Sequence, residues 1–389
     1  MFVIRQAKVK DVPTLAKLAR MVYFINLPPS EQALTEKIQL SEKCFKRAAG
    51  VEVEEFSRRK PSSSGGAGGM AAMDLDSDFF MFVIEEIETA SPVGTSQVRA
   101  HQGGIGNPNW SLKLDKRRFH SEQLGQGTTH TVAQLYGDES GPSELGGLIL
   151  QPSHRGHKAR PGRLLSFIRF HFVGRFRELF AARMLAEMMG PVNNDGDNAF
   201  WDHFGRKFIP VKFAEADRFC QHNRKFIDEL LPKDVVYLTL FPLEVQNVIG
   251  VVSRETLPAR RLLETMGFKF RGMVDPFDGG PHLDATTDEI PLVSGTVSAP
   301  LGRVATDERC DDYGIVSVLH ENGEFRAIEC PFTYDGKTIR ISKASLTLLE
   351  AGTGDSAGAT SLKALTPAAE PTPAKPEAKA KAKAKPKKK

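Results

Sequence analysis

Apolar positions along this chain follow two periods. Phe2-Val3-Ile4-Arg5 reads as a strand. Behind it, Val12, Leu15, Leu18 and Ala19 recur at helical spacing, with Asp11 as N-cap and Pro13 in the first turn. A second helix is expected over residues 31–48. Continuous apolar runs at 79–84 and 145–150 read as buried strands. The second run leads into a Gly-bearing loop and then a helix over about 162–179. Residues 183–189 read as a strand, 200–208 as a short helix ending near Gly205, and 213–231 as a helix. Between 94 and 138 the pattern is weak and rich in Gly, His and Gln, so short strands and loops are expected there.

Residues 248–283 carry the densest information. An apolar run at 248–252 reads as a strand. A helix follows, with Leu262, Leu263 and Met266 on one face and Arg260, Arg261 and Glu264 interleaved. Gly267 stands where a left-handed helix stop is wanted, and Phe268 and Phe270 alternate like a returning strand. Beyond residue 288 a β-rich unit is expected to about 349, with strands at 314–318 and 338–341. Segments 200–208 and 262–270 both end a helix in Gly and Phe, which hints at two related halves.

Composition changes this picture at three places. At 389 residues, 40% hydrophobic and 26% charged, the chain is long enough for two or three structural units. The Gly/Ser-rich segment 61–73 and the Ala/Pro/Lys-rich chain beyond 351 bury little and are expected to be disordered. The net charge of +4 is misleading, because residues 363–389 hold nine Lys against Glu370 and Glu377, which leaves the rest at −3. Such a tail reads as a solvated appendage, with polyanion binding as the alternative. No apolar run is long enough for a membrane span and no export signal is visible. Four scattered cysteines, Cys44, Cys220, Cys310 and Cys330, form no CxxC pair and no metal spacing. A reduced, cytoplasmic protein without a metal is expected.

Candidate chemistry starts at the strand–loop–helix of 145–175. A splayed strand followed by a helix start presents free backbone N–H groups and the positive end of a helix dipole, which suit a pyrophosphate. Arg155, Lys158, Arg160 and Arg163 add positive charge, and Gly156 and Gly162 relax the loop. The other reading is a basic surface loop before a core helix. Asp275 and Asp278 are carboxylates suited to a basic ligand; a tight turn with Asp capping its own backbone is the alternative. Glu187, on an expected buried strand, is a further acid, read first as a satisfied structural carboxylate.

Taken together, these segments resemble the arginine N-succinyltransferase family of GNAT-like acyltransferases. The residues that carry the resemblance are widely spread. They include 2–5, 82–85, Ser143-Glu144-Leu145, Ala186-Glu187-Met188, Phe200-Trp201, the Glu229-Leu230-Leu231-Pro232 run, Val248-Ile249-Gly250 and Phe277-Asp278-Gly279-Gly280-Pro281. The likeness spans about residues 1–290. It implies an α/β (α+β) fold with four parts. Residues 1–210 form a GNAT-like core carrying an insertion at about 50–76, and residues 211–290 a second half with an appended βαβ unit. Residues 291–350 form a small β-rich C-terminal domain, followed by the tail at 351–389.

The resemblance also implies transfer of a succinyl group from succinyl-CoA, a co-substrate rather than a bound cofactor, to the α-amine of L-arginine. It places Leu148 at the succinyl-CoA contact, with Ile149, Leu150, Arg155, Gly156, Gly162 and Arg163 completing the donor site and Asp275 and Asp278 the acceptor site. It implies small-molecule substrates, a homo- or hetero-oligomer, no membrane and no nucleic acid. One departure stands out. The family carries Val-His-Pro after the Val-Ile-Gly segment, with that His as proton donor; here the positions are Val252-Ser253-Arg254. A Ser hydroxyl does not titrate near neutrality. Catalysis through Ser253 and water, takeover by another His with His282 the nearest candidate, and loss of activity are the three readings. An acyl-CoA N-acyltransferase with a different donor or acceptor is the wider alternative.

Overall fold

The computed structural model describes residues 1–21, 27, 30–53, 77–193, 195–220, 224–304 and 306–363. The expected insertion at 61–73 and the Lys-rich tail beyond 363 lie outside the described residues. The chain opens with β1 (Phe2–Gln6), α1 (Val12–Arg20) and α2 (Glu31–Ala48). Asp11 precedes α1 as expected, but its carboxylate holds Arg5 at 2.7 and 2.9 Å instead of capping the helix. Strands β2 (Phe79–Glu86), β3 (Ser91–Arg99), β4 (Asn109–Ser121), β5 (Gln126–Asp138) and β6 (Ser143–Leu150) follow. Then come α3 (Pro161–Arg175) and β7 (Arg183–Glu187).

A helical segment runs through α4 (Ala199–His203), α5 (Gly205–Phe208), α6 (Phe213–Cys220) and α7 (Lys225–Leu230), then β8 (Val236–Tyr237) and α8 (Leu243–Gln246). Helix α9 (Leu257–Thr265) leads to β9 (Lys269–Val274), β10 (Pro281–Thr286) and α10 (Pro291–Ser294). The chain closes with β11 (Thr296–Val304), β12 (Asp312–Leu319), β13 (Phe325–Tyr334), β14 (Ile339–Ser342), α11 (Lys343–Leu349) and β15 (Ser356–Ser361).

One mixed sheet joins all of these strands. Its order is β12-β15-β11-β14-β13-β1-β2-β3-β6-β7-β10-β9-β4-β5-β8, and β12 also pairs with β13. That last pairing closes β11–β15 into a small barrel, with its own core of Val316, Val318, Ile328, Ile339 and Ile341 among others. Strand β1 is shared, pairing with β2 on one edge and with β13 of the barrel on the other. The main core packs α1, α2, α3 and α9 against the central strands, with an aromatic centre of Phe45, Phe80, Phe82, Phe172 and Phe325. A second core, around Trp201, Phe204 and Phe277, packs α4–α8 against β4, β5 and β9.

The structure departs from the sequence pattern in four places. Residues 94–138 contain two 13-residue strands in full antiparallel register, β4 and β5, where short strands and loops were expected. Their outer halves are exposed, so cross-strand pairing holds them without an apolar alternation to betray them. Residues 248–252, read as a strand, are turn and coil. Gly250 there has φ +75°, and the backbone is met by single bonds, Gly250 N–H to Gly279 O and Ser253 N–H to Met189 O, instead of a ladder. The expected helix at 213–231 is two helices, α6 and α7. Residues 356–361, expected to be disordered, form β15 inside the barrel. The small residues that make Ser-Ala-Gly-Ala-Thr-Ser look like low complexity are required there: Ala357 and Ala359 fill the narrow interior.

Candidate active site

The sheet opens where β6 meets β7. These parallel strands pair at Ser143–Met184 and Glu144–Leu185, and β6 then runs on to Leu150 without β7. A bulge widens the gap: Thr95 pairs with Ile149 and Gln97 with Gly146, so Ser96 faces both Gly147 and Leu148. Gly147 takes φ +55°, and a Cβ there would sit 2.5 Å from the Gln97 side chain, so only glycine fits the bulge. Two buried polar atoms beside it, Ser96 Oγ and Gln97 Nε2, have no hydrogen-bond partner. They suit ligand oxygens entering the fork. Leu148 and Leu150 are half-buried against the main core and Ile149 is buried.

From the fork the chain passes through a loop into α3, which begins with Arg160 in the left-handed region (φ +48°) and Pro161 in the first turn. Arg155 and Gly156 are exposed on this loop, and Gly162 is half-buried in the first turn. Arg163 points elsewhere, donating to Glu329 of the barrel at 2.6 Å. His154 and His157 pack edge-on against Phe2.

Across β7 lies the second half of the site. The segment 275–281 is a tight turn fixed from every side. Asp275 Oδ1 accepts from the N–H groups of Phe277 and Asp278 at 2.7 and 3.1 Å. Asp278 spends both oxygens on backbone, Gly280 N–H at 2.7 Å and Gly190 N–H at 2.8 Å. Phe277 stacks on Trp201, centroids 5.1 Å apart. At Gly280 a Cβ would lie 2.0 Å from Met188 O, so the turn meets the end of β7 backbone to backbone. Of the two aspartates expected to hold an acceptor, Asp278 is therefore committed to the turn, whereas Asp275 keeps Oδ2 free of the backbone. Burial and the neighbouring Asp275 push the Asp278 carboxyl up, against its two backbone donors.

Strand β10 leaves this turn with His282 directly opposite Glu187 of β7. Their neighbours Leu283 and Ala186 enter the main core, so His282 and Glu187 face the other way. His282 Nε2 is buried and unpartnered, 4.0 Å from Glu187 Oε1 and 3.9 Å from Asp275 Oδ2, both beyond hydrogen-bond range. The three ligand atoms lie within 4.8 Å of one another, a spacing that leaves room for a group between them. Burial acts to lower the His282 pKa, but Glu187, Asp275 and Asp278 outweigh it and the value lies above that of an ordinary histidine. Asn109, which opens β4, donates to Glu187 Oε1 at 2.8 Å and accepts from Arg224 at 3.1 Å. Ser253 lies at the same end of β7, bonded through its N–H to Met189 O, while its hydroxyl meets Thr256 Oγ1 at 3.0 Å.

The model for the arginine N-succinyltransferase beta subunit family matches residues 2–292, three quarters of the chain. The chain belongs to the arginine N-succinyltransferase family. It is 33% identical over 300 residues to the arginine N-succinyltransferase of Yersinia pestis (strain Pestoides F), covering 75% of this chain and 84% of that one. With the Citrobacter koseri (strain ATCC BAA-895 / CDC 4225-83 / SGSC4696) arginine N-succinyltransferase it shares 30% identity over 361 residues, 91% of this chain and 96% of that one. Among solved structures, arginine/ornithine succinyltransferase subunit AI from Pseudomonas aeruginosa superposes with a TM-score of 0.73 at 24% identity, over 93% of this chain and 99% of that chain. This last likeness extends the shared fold through the C-terminal barrel, which the family match does not reach.

Sequence reasoning singled out the fork, the turn, Ser253 and Glu187, the last first as a structural carboxylate, and named His282 as the nearest alternative histidine. It missed Gln97, Asn109 and Arg224. Asn109 opens β4, and nothing in the weak local pattern of 94–138 pointed to a polar group placed against Glu187. Among the described residues no helix is long and apolar enough to cross a membrane.

Proposed function

We propose that this protein transfers a succinyl group from succinyl-CoA to the α-amine of L-arginine. The observation that carries the reading is the fork between β6 and β7, with the bulge at Gly147-Leu148 on one lip and the carboxylates of Glu187 and Asp275 beyond the other. The thioester lies in the fork, its carbonyl toward the bulge at Leu148. Oriented donors at the bulge offset the charge that gathers on that oxygen as the amine attacks. The loop after Leu150, with Arg155 and Gly156, and the start of α3 at Gly162 face the pyrophosphate. Arg163 contributes indirectly, anchoring that helix start to Glu329.

The acceptor's ammonium and guanidinium meet carboxylate oxygens of Glu187 and Asp275. Asp278 holds the turn that aims Asp275. The ammonium first loses a proton to solvent; attack by the amine then forms the C–N bond, the C–S bond breaks, and a second proton passes from nitrogen to thiolate. The enzyme needs no bound cofactor for this and works in the cytoplasm.

The test is a thiol-release assay on the purified protein, crossing succinyl-CoA and acetyl-CoA with arginine, ornithine and lysine. Succinyl-CoA with arginine is expected to give the highest kcat/KM. No release from any pair overturns the reading. One observation favours a second reading, that of a CoA-binding homologue without activity: Ser253 stands where the family has a histidine and its hydroxyl is tied to Thr256. Protection by succinyl-CoA against thermal unfolding, roughly 2.7 kcal/mol at about 100 times its Kd, without turnover is the outcome that supports it.

A further inference from the structure

Acyl transfer to an ammonium sheds two protons, one to solvent before attack and one that ends on the departing thiolate, and the residue at the family's donor position does not titrate near neutrality. His282 stands one strand beyond the fork. Strand β10 lies directly against β7 in the sheet, so His282 is about 4.8 Å from the strand that forms the fork's far lip. Among the buried side-chain polar atoms of the described residues, its Nε2 is the one imidazole nitrogen without a hydrogen-bond partner. Buried polar nitrogens are normally bonded, and one left open between two carboxylates is held for a group that is not part of the protein.

We propose that His282 carries the proton of the transfer: its imidazolium protonates the departing thiolate, and the resulting imidazole takes the proton shed by the acceptor amine. The inference rests on the acyl-transfer reading above. The proton count closes within one turnover. The acceptor ammonium first gives one proton to solvent; the attacking amine then loses one, the thiolate gains one, and His282 ends as it began.

The surroundings suit an acid. Glu187 from β7 and Asp275 from the turn flank Nε2, and Asp278 lies behind Asp275. Cys220 of α6 lies within electrostatic reach of Glu187, Asp275 and Arg224; burial keeps it a neutral thiol. Arg224 is the positive group on this side, and it reaches Glu187 through Asn109. The net charge facing the imidazole is negative, which favours its protonated form over the neutral one. Glu187, fixed by Asn109, acts as a positioning residue for the ring as well as a contact for the acceptor.

The experiment compares wild type, His282→Gln, Ser253→His and the double variant by kcat between pH 6 and 9, with succinyl-CoA affinity followed by calorimetry. His282→Gln is expected to lower kcat about 100-fold, to keep succinyl-CoA affinity within about twofold and to abolish the fall in rate at alkaline pH. Ser253→His placed on His282→Gln is expected to recover at least tenfold. Glu187→Gln is expected to move the alkaline limb to lower pH, a shift that a purely structural carboxylate does not produce, and it serves if His282→Gln fails to fold. An active wild type that His282→Gln matches in kcat and pH profile overturns this inference alone. A wild type that forms no product overturns the acyl-transfer reading and this inference with it.

Discussion

Two buried histidines in this molecule sit in opposite environments. His171, on α3, has both ring nitrogens bonded by hydroxyls, Thr360 Oγ1 and Ser317 Oγ, each at 2.6 Å. Burial, with Arg175 nearby, pushes its pKa down to about 3. His282 has an open Nε2 among carboxylates, and its pKa is raised. The first ring is a neutral rivet. Together with Arg175, which donates to Ser317 O and Ser356 O, and with the Arg163–Glu329 pair, it joins α3 to the C-terminal barrel. The second sits among carboxylates beside a fork. Burial alone therefore does not separate a structural histidine from a working one. The partners do, because a satisfied ring has nothing left to offer a ligand.

The contrast can be broken most sharply by truncation. His171→Ala leaves two buried hydroxyls without their partner and a cavity at the seam, and is expected to cost about 3 kcal/mol in urea unfolding at pH 8. His282→Gln at the same pH is expected to cost less than about 1 kcal/mol, since the site it leaves already contains an unmade bond. Equal losses would show that the two rings do the same job.

A smaller effect is the acid response. Unfolded chains bind a proton at His171 near pH 6.5, whereas the folded protein does so only near pH 3. Stability is thus expected to fall by about 1 kcal/mol per pH unit as pH drops below 6.5 on account of this residue. His171→Gln should flatten that slope when unfolding is measured at pH 6.5 and 5.5. An unchanged slope would mean that the ring is not held neutral.

The smallest effect has the opposite sign. Because the folded pKa of His282 is raised, its contribution is present below the unfolded value and is lost as pH rises through the folded one. The stability gap between wild type and His282→Gln should therefore narrow from pH 6 to pH 9, by about 1 kcal/mol or less. A gap that widens would place His282 with His171.

Much of the fold was legible locally. The helix at 31–48 and the strands at 79–84 and 145–150 carry strong periodicity or continuous apolar runs, and each formed as α2, β2 and β6. The Phe277-Asp278-Gly279-Gly280 turn was legible too, since Asp and Gly have narrow reasons to alternate there. The strand read at 248–252 failed for a stated cause. An apolar run specifies burial, and its burial here is met by coil strapped to Gly279 and Met189. Strands β4 and β15 were hidden for different reasons: in β4 the alternation of Trp110, Leu112 and Leu114 is short and the rest of the strand is polar, and β15 is built of small residues.

By itself the sequence determined the apolar runs, the turn chemistry at 275–281, the family and the loss of a histidine at Ser253, because each of these is carried by residues adjacent in the chain. Only the tertiary structure decided what surrounds His282. Its neighbours Glu187, Asp275 and Asn109 come from β7, a turn and β4, and the charge around a ring is set by which strands the sheet places side by side. The proximity of chain-distant carboxylates is a property of sheet order, and no local pattern encodes it.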